Sequence, residues 1–201
     1  MKHIYFFFLC CIIYNPVFGQ GEAALIKAVK AKLDKVSDYQ AKGRMTVDVS
    51  FINAPASNVV VYYKKPNKFK INKDRGISLL PKGGVSVNIN SLLTGNDYAV
   101  VPAGTLLRKG ITLKAIKLLP LADASDIVLT TLYIDEKALL IRRATVTTKE
   151  SGSYEMELDY GKYASWSLPD KIVFLFNAKD YKMPKGITFE YEKGDTKKPK
   201  H

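Results

Sequence analysis

The sequence predicts a mainly β protein with helices, an α+β fold in which a largely antiparallel sheet is covered by an N-terminal helix. Three observations predict this class. One amphipathic helix pattern comes early in the chain, runs of alternating apolar and polar residues fill most of the remainder, and tight-turn signals join many of those runs. Strands joined by tight turns are antiparallel neighbours, and half-polar strands of this kind must hide their apolar side.

The helix is predicted over residues 22–39. Its apolar residues recur at the spacing of one helical face, while its lysines fall mostly off that face. The apolar face consists of Leu25, Ile26, Val29, Leu33 and Val36.

Alternation predicts the strands that follow. Residues 41–51 alternate strictly, with Met45, Val47, Val49 and Phe51 on one face, and residues 59–72 have the pattern of a hairpin. Residues 76–121 mix short apolar runs with Gly, Pro and Asn, and we interpret them as strands interrupted by a short helix or lid loop. Further strands are predicted at residues 127–134, 139–149, 154–160, 172–176 and 187–191.

The first residues predict export. A basic residue precedes the apolar run IYFFFLCCII, and Val17 and Gly19 are small enough for the −3 and −1 positions of a signal-peptidase site before Gln20. The run is too short to span a membrane as a mature helix. We therefore expect residues 1–19 to be a signal peptide, residues 20–192 to be one domain, and residues 193–201 to be a disordered basic tail.

Composition argues against several classes of function. Both cysteines, Cys10 and Cys11, lie inside the predicted signal, where apolar rather than small residues precede them, so we expect an exported soluble protein without a lipid anchor. The remaining chain has His201 as its only histidine. No Ser-His or Cys-His pair and no histidine-ligated zinc can then be built, and we expect no metal and no cofactor. The net charge of +12 is spread over dispersed lysines, and an exported chain rarely meets nucleic acid, so a nucleic-acid partner is not expected.

The carboxylates of YEMELDY are not expected to be catalytic. Glu155, Glu157 and Asp159 are spaced by two, which places them on one face of a strand opposite apolar residues. We interpret that face as solvated, and the protein as not an enzyme.

The apolar side of the predicted sheet carries many aromatic residues, and one helix is its only convincing cover. A long, twisted sheet curls around such a helix and leaves apolar surface to spare. Two interpretations stay open on this evidence: a cavity or groove for an apolar ligand, and an ordinary core of sheet packed on helix.

Three short motifs resemble the LolA/LolB-like superfamily of periplasmic lipoprotein carriers. The hairpin YKKPNKF, residues 63–69, is similar to the family's V-K-R-P-N-x-F. The stretch LPLADASDIVLTTLYID resembles a segment ending in L-W-I-D, and LPDKIVF, residues 168–174, resembles the strand entry L-P-D-x-x-F. The resemblance implies an open half-barrel of antiparallel strands with short lid helices over its mouth, and an apolar interior that takes up acyl chains. It also implies a periplasmic location, an inner-membrane releasing complex and an outer-membrane acceptor; we expect a monomer.

The resemblance also implies a site. Lys65 aligns with the family's arginine and is the candidate rim or lid residue, although lysine lacks arginine's planar fork. Tyr133 stands where the family has tryptophan. The expected lining of the acyl-chain cavity is Val47, Tyr63, Phe69, Tyr154, Met156, Phe174, Phe176 and Phe189.

The leading hypothesis is a carrier that shelters the acyl chains of a lipoprotein or lipid and delivers them to the outer membrane. A second hypothesis is a sensor or scaffold that binds lipoprotein or a protein partner through the same fold without transport. A third is a hydrolase that uses carboxylates.

Overall fold

The computed structural model describes residues 20–48, 55–66, 68–74, 92–93, 97–122, 125–149 and 152–176. In these residues the chain forms a helix and a series of strands, with a 3₁₀ turn at Ala164–Trp166 before the last strand. The elements are α1 (Gln20–Leu33), β1 (Asp38–Met45), β2 (Ser57–Lys64), β3 (Lys68–Lys73), β4 (Tyr98–Arg108), β5 (Ile111–Pro120), β6 (Ile127–Asp135), β7 (Leu140–Thr148), β8 (Gly152–Asp159) and β9 (Lys171–Phe176).

The strands make two antiparallel sheets in which chain neighbours are also sheet neighbours. The small sheet has the order β1-β2-β3, and the large sheet has the order β4-β5-β6-β7-β8-β9. β4 and β9 are the edges of the large sheet and do not pair with each other, so the sheet is open. The predicted class, mainly β with a covering helix and antiparallel strands, is confirmed.

The core lies between α1 and the inner face of the large sheet. Strand register places one residue from each of five strands in a single row across that face: Ile116, Leu132, Ala144, Met156 and Phe174. The first four are buried, and the predicted helical face of Leu25, Ile26, Val29 and Leu33 packs on them together with Leu92 and Leu93.

α1 crosses the strands rather than running along them. Near its start, Glu22 pairs with Lys114 of β5 at 3.2 Å, and near its end the Lys32 ammonium donates to the Ala164 carbonyl, beyond β8, at 3.0 Å. These two helical residues are about 15 Å apart along the axis. Three strand spacings, from β5 to β8, cover about 14 Å. The helix therefore covers the middle of the large sheet and ends at the connection between β8 and β9.

Several predicted boundaries need correction. The helix ends at Leu33 rather than near residue 39, although Val36 is still buried. The first strand was expected at residues 41–51 but runs from Asp38 to Met45, and Val47 lies in the irregular stretch that follows. Its remaining predicted residues and the strand at 187–191 lie outside the described residues. The other predicted strands are present within one or two residues of the expected bounds.

The expectation of strands in residues 76–121 is confirmed for the second half of this segment, and most of the first half lies outside the described residues. Residues 98–120 form β4 and β5, the two longest strands, joined by a two-residue turn. Lys109 and Gly110 both have positive φ, 49° and 76°, which is the backbone of a type I′ hairpin turn. Leu92 and Leu93 form a short 3₁₀ segment within residues 76–121, where a short helix or lid loop was expected. In the described part of the chain, no helix combines the length and apolarity needed to cross a bilayer.

The tip of the β4–β5 hairpin folds back over the outer face of the large sheet. β5 pairs with β6 only from Lys114 onward, so the tip has no neighbour on that side. Arg108 reaches Glu157 of β8 at 2.7 Å and Lys109 reaches Asp159 at 2.9 Å, although β4 and β8 are separated by three strands. Leu113, which lies on β5 close to the folded-back tip, is only 1% exposed.

The prediction that one face of β8 is fully solvated is therefore wrong in part. Glu155, Glu157 and Asp159 do share one face, opposite the buried Tyr154, Met156 and Leu158. Each of these carboxylates is half-buried and pairs with a basic side chain, Arg143, Arg108 and Lys109 respectively. The Lys109 ammonium holds the pKa of Asp159 below its usual value.

Candidate apolar binding surface

Four of the predicted lining residues meet at the β8–β9 edge of the large sheet. Register sets Tyr154 opposite Phe176 and Met156 opposite Phe174. The ring centroids of Tyr154 and Phe176 are 6.2 Å apart, and those of Phe174 and Phe176 are 6.3 Å apart with nearly parallel planes. Tyr154 and Met156 are buried in the core, whereas Phe174 and Phe176 are half-buried against it. In this part of the sheet, α1 therefore leaves two aromatic side chains, Phe174 and Phe176, least covered.

Two more predicted lining residues pair on the small sheet. Tyr63 lies between Tyr39 and Phe69 in the register, and the rings of Tyr39 and Tyr63 are 5.4 Å apart. Val61 and Ile71 continue this face one step along the strands. Tyr63 is buried, Phe69 is half-buried, and burial raises the pKa of Tyr39.

The six residues therefore form two groups rather than one. Tyr63 lies outside the cluster of buried residues under α1 that contains Tyr154 and Met156. Val47 is half-buried in the stretch after β1, and Phe189 lies outside the described residues. Whether these residues line one cavity stays a prediction.

Lys65, the predicted rim residue, joins the hairpin tip to the end of α1. Its ammonium donates to the Asp34 carbonyl just past the helix and lies 4.0 Å from the Asp34 carboxylate. Its backbone N–H donates to the Ser37 carbonyl at 2.9 Å. The Lys65–Pro66 peptide bond is cis. A cation at the C-terminal end of a helix is favourable, because unpaired carbonyls give that end a partial negative charge. Lys65 thus holds the small sheet against the helix that covers the large sheet.

Sequence reasoning missed the second polar tether of the helix. The Lys32 ammonium donates to the Ala138 carbonyl at 2.8 Å as well as to Ala164, and burial lowers its pKa. The signal was present in the sequence: Lys32 follows Leu25 by seven positions and Val29 by three, on the apolar side of the helix. The ammonium of a lysine at that position must reach hydrogen-bond acceptors at the edge of the apolar face.

A third polar contact, also missed, closes the same end of the sheet. The Tyr160 hydroxyl donates to the Ile141 carbonyl at 2.9 Å, and burial raises the pKa of Tyr160 well above its usual value. The Arg142 guanidinium lies 5.3 Å from the centre of the Tyr160 ring and pairs with the buried Asp135 at 3.0 Å. Among the residues the structure describes, no three His, Cys, Asp or Glu side chains are placed to hold a metal ion.

Comparison with known proteins gives likenesses of fold only. No protein-family model matches the sequence, and no curated protein matches it. A DUF1329 family protein from Desulfovibrio piger is 13% identical, with 68% of this chain and 78% of that chain covered and a TM-score of 0.49. A domain described as an outer membrane lipoprotein-sorting protein, from Vibrio parahaemolyticus, is 9% identical, with 69% and 77% covered and a TM-score of 0.42. Likenesses this weak do not indicate what this chain binds.

Proposed function

We propose that this protein is a periplasmic carrier that shelters the acyl chains of a lipoprotein or lipid and delivers them to the outer membrane. The observation that carries the proposal is an excess of inner apolar surface. Among the described residues, α1 with Leu92 and Leu93 covers the middle of the large sheet, while Phe174 and Phe176 at its edge remain half-buried.

The small sheet adds to this surface. Phe69, Val61 and Ile71 are half-buried on its apolar side, and the cluster under α1 does not include them. The Lys65 contact ties the small sheet to α1, and the inner face of the large sheet packs on the same helix. The proposed ligand is elongated and contacts both groups.

The free energy of exposing acyl chains to water requires a cavity that encloses them rather than a surface patch. Each methylene exposed to water costs about 0.8 kcal/mol, so a molecule with two or three long acyl chains faces tens of kcal/mol in aqueous solution. The same magnitude opposes release, and unloading therefore needs a membrane acceptor. The resemblance of the YKKPNKF hairpin to lipoprotein carriers and the predicted signal peptide support this reading of the apolar surface.

The first test is the content of the protein itself. Purified from its native envelope without detergent, it should carry lipid or lipoprotein that mass spectrometry of an organic extract identifies. Repeated recovery of the empty protein, together with no uptake of an added fluorescent fatty acid, would reject the carrier.

A matched pair of variants locates the binding surface. Phe176→Ala removes a half-buried ring from the proposed surface, whereas Leu175→Ala alters the outer face of the same strand, where Leu175 is 47% exposed. We expect the first to weaken fatty-acid binding by tenfold or more, which is about 1.4 kcal/mol, and the second to leave it unchanged. Equal effects, at equal thermal stability, would show that β9 does not line the site.

Transport is distinguished from simple binding by a transfer assay. A carrier moves labelled lipoprotein from donor to acceptor vesicles in amounts exceeding its own, while a sensor or scaffold holds one equivalent and stops.

A further inference from the structure

The outer face of the small sheet carries a concentration of positive charge. Side chains alternate along each strand, so those facing away from Tyr63 and Phe69 share the other face. Five basic side chains lie there, and all are exposed: Lys42, Arg44, Lys64, Lys68 and Lys70. Two carboxylates accompany them, Asp38 on β1 and Asp74 just past β3, which accepts hydrogen bonds from Asn58 of this face. Within the described residues, none of the five has an ion-pair partner, whereas the cations that face β8 on the large sheet are paired.

The register sets these charges close together. Lys64 lies between Asp38 of β1 and Lys68 of β3, and Lys70 lies opposite the exposed Tyr62. Arg44 and Lys64 are separated by six residue steps in the register, about 20 Å, and the width of three strands is about 10 Å. Because neighbouring charges lie within about one Debye length, near 8 Å at physiological salt, their fields add. The directly opposed Lys64 and Lys68 destabilise the sheet, and Asp38 opposite Lys64 offsets part of that cost.

We infer that this face docks on the surface of an anionic phospholipid bilayer. Four of the five cations are lysines, which are point charges on flexible stems and need no planar, bidentate acceptor. A diffuse layer of lipid phosphates fits such charges, while a folded acidic protein offers fixed carboxylates that favour arginine. Tyr62 stands among the lysines, and tyrosine is enriched where protein meets the bilayer interface. The apolar interior stays turned away from the membrane plane.

This docking does not depend on what the apolar interior holds. Docking keeps a carrier at the membrane before its cargo is transferred. It equally suits a protein that only binds at the membrane.

Vesicle binding tests the inference. The purified protein is sedimented with phosphatidylcholine vesicles and with vesicles that also contain phosphatidylglycerol, at about 0.1 M and about 1 M salt, where the Debye length falls from about 10 to about 3 Å. We expect binding to the anionic vesicles at low salt and its loss at high salt. Binding to both lipids alike, or to neither, would overturn the inference.

Two double variants localise the contact. Lys42→Glu with Lys70→Glu reverses two charges of the face. Lys117→Glu with Lys137→Glu makes the same change in net charge at two exposed positions elsewhere, one on β5 and one in the β6–β7 turn. Each surface lysine near an anionic membrane contributes a factor of about five, so the first pair should weaken partitioning by at least about 30-fold. The second should weaken it by less than about threefold. Equal losses would show that only net charge matters, and the inference would fail.

An acidic partner of another class gives a different result. If polyglutamate displaces the protein from anionic vesicles no better than salt of equal ionic strength, the lipid assignment is supported. If polyglutamate binds tightly where vesicles do not, the face serves an acidic protein instead. Fatty-acid uptake without vesicle docking would refute this inference and spare the carrier; docking without uptake would do the reverse.

Discussion

The contact of Lys65 with the end of α1 allows a quantitative prediction. A hydrogen bond from a charged donor contributes about 1.5–3 kcal/mol, and a cation at a helix C-terminus about 0.3–1 kcal/mol. The Lys65 side chain is 38% exposed, so solvent screens both terms, and we expect Lys65→Met to cost about 1 kcal/mol. That free energy corresponds to about a fivefold rise in the population in which the hairpin has left the helix.

The acceptor distinguishes this contact from an ordinary ion pair. Lys65 donates to the main-chain carbonyl of Asp34, while the Asp34 carboxylate is 4.0 Å away and pairs with Lys30 at 2.9 Å. Asp34→Ala should therefore cost only about 0.5 kcal/mol, and the two changes should add. Urea unfolding gives the global values, and hydrogen exchange at the last turn of α1 gives the local opening. If the effect of Lys65→Met disappears in the Asp34→Ala background, the carboxylate is the true partner and the reasoning is refuted.

Two further predictions follow from shifted pKa values. Burial raises the pKa of Tyr160, so its contribution to stability is complete below about pH 10 and declines as the pH rises further. Tyr160→Phe should cost about 1 kcal/mol at pH 7 by leaving the Ile141 carbonyl unpaired, and urea titrations should show this difference shrinking above pH 10; a constant difference would exclude the linkage. Lys109 lowers the pKa of Asp159, so their pairing stabilises the fold above about pH 4 and is lost as the pH falls through the lowered value. Lys109→Met should raise the pKa of Asp159 in carboxyl NMR titrations, and an unchanged titration curve would mean that the pair does not form in solution.

Short-range patterns predicted most of the fold. The helical stripe from Leu25 to Leu33 and the alternation in β8 each lie within one element, and periodicity is sufficient to find them. The β4–β5 hairpin was missed because its turn, Lys109-Gly110, is not one of the strongest dipeptide signals. Pro102 and Gly104 also interrupt the alternation of β4, and the register shifts there.

The site was less predictable because it depends on contacts between distant segments. Lys65 was identified only through a resemblance, and its partner at the end of α1 is 31 residues away. The ion pairs of Glu157 and Asp159 require a hairpin tip that folds across three strands, which no local pattern encodes. Spacing placed these carboxylates on one face correctly, but it could not indicate what lies on that face.

Whether α1 can act as a lid depends on the free energy of exposing its apolar side chains compared with that gained by burying an acyl chain. Lifting the helix exposes four buried side chains, Leu25, Ile26, Val29 and Leu33, and each costs about 2 kcal/mol, or about 8 kcal/mol together. Lifting the helix also breaks the contact of Lys65, which adds about 1 kcal/mol, and both hydrogen bonds of Lys32, so the empty protein remains closed. An acyl chain that buries ten to twelve methylenes recovers about 8–10 kcal/mol. If the protein is the proposed carrier, an acyl chain that takes the place of the helix therefore offsets most of the cost of lifting it, whereas water does not. For the proposed carrier, the half-buried Phe174 and Phe176 are then the expected first contact of an acyl chain, because they offer apolar surface before the helix moves.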